Sequence, residues 1–124
     1  MSKPRPKHLN LLQIRLPLPG VVSIMHRAFG AVLFLMIPLG LYAMQLSLES
    51  SQSFDGLKSV LAHPLVKLFV LGLVWAYLHH FCAGLRYLAL DLDYGTDLAP
   101  ARASAKAVVA VSLGLTLLIG VWLW

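Results

Sequence analysis

The chain has 124 residues, of which 59% are hydrophobic and only 12% are charged. Soluble domains carry roughly 25% charged residues, so this composition indicates a single-domain integral membrane protein. The net charge of +5 does not indicate nucleic-acid binding, because the basic residues form no stripe interleaved with aromatic residues.

The N-terminal segment, residues 1–21, is predicted to lie in the cytoplasm. It is rich in proline, which removes a backbone donor and disfavours a long helix. It is also basic, and an excess of Lys and Arg marks the cytoplasmic side of a membrane protein. The basic residues of this segment are Lys3, Arg5, Lys7 and Arg15.

Three apolar stretches follow, and each is long enough to cross a bilayer. A spanning helix needs about 20 residues, and backbone groups in lipid must be hydrogen-bonded within the segment. No stretch alternates with a period of two, which excludes a membrane barrel. The sequence therefore predicts an all-α fold, an integral membrane three-helix bundle over residues 22–124. Its helices are expected near residues 22–48, 65–90 and 104–124.

The two connecting segments are predicted to be short loops on opposite sides of the membrane. Glu49–Pro64 is rich in Ser, Gln, Asp and Gly, and Asp91–Pro100 is acidic. Lys and Arg are more frequent on the side of the N-terminus and the second loop than on the other side, which has only Lys58 and Lys67. This bias predicts a cytoplasmic N-terminus and a periplasmic C-terminus.

The first polar cluster lies at the start of the first predicted helix. Ser23, His26, Arg27 and Gly30 are spaced i, i+3, i+4 and i+7, so they share one helix face. Arg27 could simply snorkel to lipid phosphates while His26 sits among the headgroups. The alternative is a polar wall that donates hydrogen bonds to a small ligand bearing acceptor atoms. An intramembrane ionisable residue favours this functional interpretation.

The second polar cluster lies near the end of the second predicted helix and is expected at the same depth as the first. His80, Gly84, Tyr87 and Asp91 fall on one stripe of that helix. One interpretation of His80 is a haem ligand, because its imidazole can bind iron and Gly84 one turn away leaves room for the macrocycle. The alternative is a buried histidine that is hydrogen-bonded to another helix. His79 is expected about 100° away, toward lipid or a neighbour. A second axial ligand is hard to find in this chain, because His26 lies too near the surface and His8 and His63 lie outside the core, so another chain would have to supply it.

The motifs together resemble a known family over nearly the whole chain. They are Arg5-Pro6-Lys7-His8-Leu9, the Ser23…His26-Arg27…Gly30 block and His80-x-x-x-Gly84-x-Arg86…Asp91, in this order across three spans. The set is similar to the cytochrome b membrane-anchor subunit of bacterial succinate dehydrogenase. Such a subunit is a multi-pass protein of the bacterial inner membrane.

The resemblance implies a haem b whose iron is ligated by His80, with the second axial histidine from a second membrane-anchor subunit. It implies a ubiquinone pocket that uses Ser23 and Arg27, close to an iron–sulfur subunit that is joined to a flavoprotein subunit. Haem propionates need paired cations or strong donors when buried. The residues expected around the haem and its propionates are His26, Arg27, Arg86 and Gly84.

The chain departs from the family pattern at two positions. Tyr87 stands where a histidine is common, and His79 directly precedes the implied ligand, so the adjacent histidines are alternatives for iron. The chain has no glycine-rich nucleotide loop, and Cys82 is its single cysteine, so flavin and iron–sulfur chemistry would belong to partner chains. The other functions considered are the anchor of a fumarate reductase and a haem-free scaffold or transporter subunit.

Overall fold

The computed structural model describes residues 14–124, and this part of the chain consists of α-helices without strands. Three of the helices are long and apolar enough to cross a membrane. The predicted all-α fold with three spans is therefore confirmed. The Arg5–Leu9 motif and most of the basic N-terminal segment lie outside the described residues. The helices are α1 (Leu18–Glu49), α2 (Ser51–Ala62), α3 (Pro64–Asp91) and α4 (Leu98–Leu123).

The first spanning helix, α1, begins four residues earlier than predicted. Pro19 lies in its first turn, where a proline is tolerated because the backbone N–H would have no partner there. The carbonyl of Pro17 accepts from the backbone N–H groups of Gly20 and Val21, at 2.8 and 3.2 Å. The helix also continues through Pro38 as one element.

The predicted loop Glu49–Pro64 is wrong, because most of it forms the short helix α2. Ser50 and Ser53 make a reciprocal capping box, in which each side chain accepts from the other residue's backbone N–H at 3.1 Å. This pair satisfies N–H groups that a helix start leaves without partners. The Ser53 hydroxyl also donates to the carbonyl of Leu46 at 2.8 Å, which ties α2 to the end of α1.

The turn between α3 and α4 is well defined. The backbone N–H of Tyr94 donates to the carbonyl of Ala89, and that of Asp93 donates to Leu90, each at 3.0 Å. Asp93 has a φ of 62°, so this is the Schellman arrangement that ends many helices. The chain therefore reverses direction, and α4 runs antiparallel to α3.

The buried core of the bundle is small and consists mainly of short side chains. Val22 of α1, Ala83 of α3, and Ala105 and Val108 of α4 pack together. Small residues at helix contacts let backbones approach closely, which suits association in lipid. Most large apolar side chains point outward instead, as expected where lipid or other subunits cover the helices. Helix α3 contacts both α1 and α4 most extensively, and α1 and α4 also contact each other.

Candidate functional site

The two predicted polar clusters meet where α1 and α3 pack together. The rings of His26 and His80 are stacked, with centroids 4.2 Å apart and planes within 6°. The two clusters therefore lie at the same level along the packed helices α1 and α3. The N-terminal part of α1 and the C-terminal part of α3 together build this site, which we call the histidine pair.

A hydrogen bond orients the His80 ring and sets the tautomer of its neutral form. Its Nδ1 lies 2.9 Å from the backbone carbonyl oxygen of His26. A carbonyl can only accept, so Nδ1 carries the proton and donates it. In the neutral ring, the other nitrogen, Nε2, then holds the lone pair. A neutral imidazole whose second nitrogen donates to a backbone carbonyl is the usual form of a metal-ligating histidine.

Gly30 provides the space that lets His80 approach the backbone of α1. A Cβ atom added at Gly30 would lie 2.8 Å from Cε1 of His80 and 3.2 Å from its Nδ1. The first distance is below any normal contact, so no other residue fits without moving the ring. The sequence placed Gly30 on the face of His26 but did not show that it lies against His80.

His79 faces the interior of the chain rather than the histidine pair. Its side chain is 0% exposed and meets the edge of the Phe29 ring at a centroid distance of 5.3 Å. Trp75 packs on another side at 6.4 Å. Within residues 14–124, neither ring nitrogen of His79 makes a hydrogen bond of good geometry, although the backbone of Val22 lies near the ring. This position encloses His79 within its own bundle, whereas His80 is only half-buried.

Gly84 and Tyr87 lie beside the ring of His26. A Cβ at Gly84 would be 3.8 Å from Nε2 of His26, which is ordinary contact, and the Tyr87 ring is 5.1 Å from the His26 ring. The Tyr87 hydroxyl is buried and has no partner among the described side chains and backbone. It is thus a hydrogen-bond donor beside the histidine pair, at the position where the family pattern commonly has a histidine.

Arg86 connects α3 to α4. It is 9% exposed, and its Nε donates to the Ser104 hydroxyl at 2.9 Å. One terminal nitrogen donates to the carbonyl of Ala101 at 3.2 Å. Its guanidinium carbon lies 5.4 Å from the centre of the Tyr87 ring. Arg86 therefore supports the site through Tyr87, and its predicted contact with haem propionates stays a prediction.

Ser23 and Arg27 form a second polar feature on α1, one turn apart. The Arg27 Nε donates to the backbone carbonyl of Ser23 at 3.3 Å, and a terminal nitrogen lies 3.5 Å from the Ser23 hydroxyl. Arg27 is exposed and Ser23 is half-buried. These long contacts hold the guanidinium near the hydroxyl and leave other N–H groups free to bind an oxygen acceptor. Asp91 of the predicted stripe is exposed.

The metal-ligating side chains of residues 14–124 are too few for the histidine pair to enclose a metal ion without ligands from elsewhere. These residues contain no group of three or more His, Cys, Asp or Glu side chains that could enclose a metal ion. A single imidazole nitrogen suits a metal whose other ligands come from a macrocycle and from another chain.

Comparisons with known proteins give one consistent result. Residues 1–119 match the family described as the succinate dehydrogenase/fumarate reductase transmembrane subunit. The chain is 38% identical to the succinate dehydrogenase cytochrome b556 subunit of Coxiella burnetii, over 100% of both chains. It is 33% identical to the protein of the same description in Paracoccus denitrificans, over 92% of this chain and 88% of the relative. The corresponding protein of Rickettsia felis is 25% identical, over 97% and 92% of the two chains.

Proposed function

The chain belongs to the succinate dehydrogenase/fumarate reductase transmembrane subunit family, and from this we propose that it binds haem b and ubiquinone and passes electrons from the iron–sulfur subunit to quinone. It is a cytochrome b anchor subunit of the bacterial succinate dehydrogenase type and a multi-pass protein of the inner membrane. The relatives named above are cytochrome b556 subunits, which supports haem b as the cofactor.

The observation that carries the haem proposal is the bond between His80 and the carbonyl of His26. It leaves the Nε2 lone pair of His80 available as an axial ligand. His79 is enclosed by its own bundle, so it is the weaker candidate for a ligand that another chain must also reach. The second axial ligand would come from a second membrane-anchor subunit. When bound, the haem supplies one-electron transfer.

The residues around the histidine pair suit the charges of a haem. Its propionates carry negative charge and require cations or strong donors in a membrane. We propose that His26 and Arg27 provide these, with Arg86 holding Tyr87 against His26. Gly84 keeps the surface beside His26 free of a side chain.

We propose that the turn between α3 and α4 contacts the iron–sulfur subunit, which is joined to the flavoprotein subunit. Tyr94 and Leu92 are 73% and 70% exposed, and acidic side chains surround them. Exposed apolar residues outside the lipid commonly mark protein interfaces. The acidic charge disfavours contact with anionic lipid headgroups. A peripheral subunit bound here would deliver electrons at the end of the bundle that contains the histidine pair.

This arrangement requires the predicted orientation, with the α3–α4 turn in the cytoplasm and Trp124 in the periplasm. The Lys and Arg bias supports it. A reporter enzyme that is active only in the periplasm should therefore work when fused after Trp124. Activity only of a cytoplasmic reporter at that position would reverse the orientation and move the iron–sulfur contact to the other side.

The proposed function is tested by the visible spectrum of the complex purified through a tag on this chain. We expect a b-type band in the reduced-minus-oxidised spectrum, together with co-purified iron–sulfur, flavoprotein and second anchor subunits. Absence of the band would favour a haem-free scaffold or transporter subunit. The ratio of succinate oxidation to fumarate reduction in the same sample distinguishes a succinate dehydrogenase from a fumarate reductase.

A substitution at Gly30 tests whether the contact between α1 and His80 matters for haem. Gly30→Ala should displace the His80 ring, because the new Cβ would lie 2.8 Å from Cε1. The displaced ring would lose the hydrogen bond from Nδ1 to the His26 carbonyl, which orients His80 toward the iron. Hydrogen bonds of this kind to a metal ligand are worth about 10- to 100-fold in metal affinity. We expect a comparable fall in haem affinity, measured by titrating haem into the haem-depleted complex. Gly40→Ala is the control, since nothing lies within 4 Å of a Cβ there. Equal haem affinity in Gly30→Ala and Gly40→Ala would contradict the proposal that the contact between Gly30 and His80 helps to hold the haem.

A further inference from the structure

A partly enclosed cavity lies at the opposite end of the bundle from the histidine pair, where α2, α3 and α4 meet. Its volume is about 120 Å³. A cavity of ~150 Å³ lined by aliphatic side chains can hold a benzene-sized apolar group. Its walls come from Leu61 of α2, from Lys67, Val70 and Leu71 of α3, from Gly120 of α4, and from Trp124 directly after α4.

Lys67 gives this cavity an amphipathic character. The residue lines the apolar cavity, and its ammonium lies 5.1 Å from the centre of the Trp124 ring. Lysine commonly buries its methylene groups in this way while its charge stays at the membrane surface. None of the side chains that line the cavity is acidic. A cation thus sits beside an apolar cavity at the edge of the membrane.

We propose that this cavity binds an anionic phospholipid, with an acyl segment inside it and the phosphate near Lys67. Tryptophan is enriched at the level of the lipid headgroups, so Trp124 places the Lys67 ammonium near that level. The lining has one charged side chain, the cation of Lys67, which favours an anionic headgroup over an uncharged ligand such as a quinone. The cavity is also too small for a partner helix. A lipid with a negative headgroup and a flexible apolar chain matches both the charge and the volume.

Gly120 contributes to the shape of the site. A Cβ at this position would lie 3.3 Å from Cδ1 of Leu71, so the glycine allows α4 to approach α3 closely. This contact brings the end of α4, including Trp124, next to the start of α3. The lipid would therefore join three helices at an end where the described core has few buried residues.

The test is native mass spectrometry of the whole complex in nanodiscs of defined composition. In mixed discs of phosphatidylglycerol and phosphatidylcholine, the released wild-type complex should retain phosphatidylglycerol preferentially. Lys67→Gln should lower this retention about fivefold, the effect expected for one basic residue at the lipid surface. Lys67→Arg should restore it. Lys58→Gln is the matched control, because Lys58 also lies over an aromatic ring, that of Phe54, but does not line the cavity.

A second variant tests the position of the acyl segment. Val70→Phe fills the cavity from one wall and keeps every charge, so it should also lower phosphatidylglycerol retention. Equal retention of the two lipids by the wild-type complex would overturn the proposal without any variant. Unchanged retention in Lys67→Gln would overturn the role of the charge, and unchanged retention in Val70→Phe would overturn the role of the cavity. The haem spectrum is measured on the same samples. A normal b-type spectrum with no lipid preference would contradict the lipid site alone, whereas loss of the spectrum would contradict the proposed haem function.

Discussion

His80→Ala should remove haem from the complex, with at least a tenfold fall in the b-type absorbance per complex. The substitution deletes the only imidazole nitrogen of the histidine pair that is fixed as a lone-pair donor by a bond at the other nitrogen. Supporting bonds alone are worth about 10- to 100-fold in metal affinity, so loss of the ligand itself should exceed this. The measurement is the reduced-minus-oxidised spectrum, normalised to the amount of this chain.

The control for this result is the neighbouring histidine. His79→Leu replaces a fully buried imidazole with an apolar side chain of similar size and removes two ring nitrogens that lack partners among the described residues. An apolar side chain at this buried site avoids the free-energy cost of burying polar atoms that lack good hydrogen bonds. We therefore expect His79→Leu to assemble and to keep the low-spin haem signal. Conversion to high spin by His79→Leu, with a normal spectrum in His80→Ala, would assign the iron to His79 instead.

The three spans could be predicted from the sequence because a segment that crosses a bilayer must be made almost entirely of apolar residues. Long uncharged stretches have one stable solution in lipid, a helix that satisfies its own backbone. The ends of the helices were less predictable. Proline in the N-terminal segment disfavours a long helix, but Pro19 lies in the first turn of α1, where proline is tolerated.

Helix α2 was missed because its composition resembles that of a loop. Gly56 and several polar residues lower its helix propensity, and 12 residues are too few to show a clear period. The signal that could have found it is the pair Ser50 and Ser53, spaced as a capping box. This signal is weak with serine at both positions, since the second is usually Glu or Gln.

The candidate site was predictable only in part. Counting residues along two helices was enough to bring His26 and His80 to one depth, because helical rise is constant. It could not show which face of α3 meets α1, and so it left His79 open between lipid and a neighbouring helix. The role of Gly30 and the bonds from Arg86 to α4 depend on helix packing, which residue spacing does not encode.

Substitution of Arg27 should impair the reduction of quinone while succinate oxidation continues. The carbonyl oxygens of ubiquinone gain negative charge as electrons arrive, and a positioned cation stabilises that charge strongly when bulk water is excluded. The Ser23 hydroxyl and the Arg27 guanidinium lie within 3.5 Å of each other on α1, so both can donate to one carbonyl oxygen. The other carbonyl would receive its donor from a partner chain, and Tyr87 or Asp91 could supply protons.

The expected losses differ between the two residues. Arg27→Leu should lower quinone reduction about 100-fold, as removal of one charge-stabilising donor commonly does. Ser23→Ala should lower it about tenfold, because it removes one hydrogen bond. Both should keep succinate oxidation by an artificial soluble acceptor, which does not require the membrane site. Arg102→Leu, another exposed arginine, is the control for loss of surface charge. Equal loss of both activities in Arg27→Leu would indicate failed assembly, and unchanged quinone reduction would place the quinone pocket elsewhere, because no other described cation of α1 lies beside a hydroxyl at this depth.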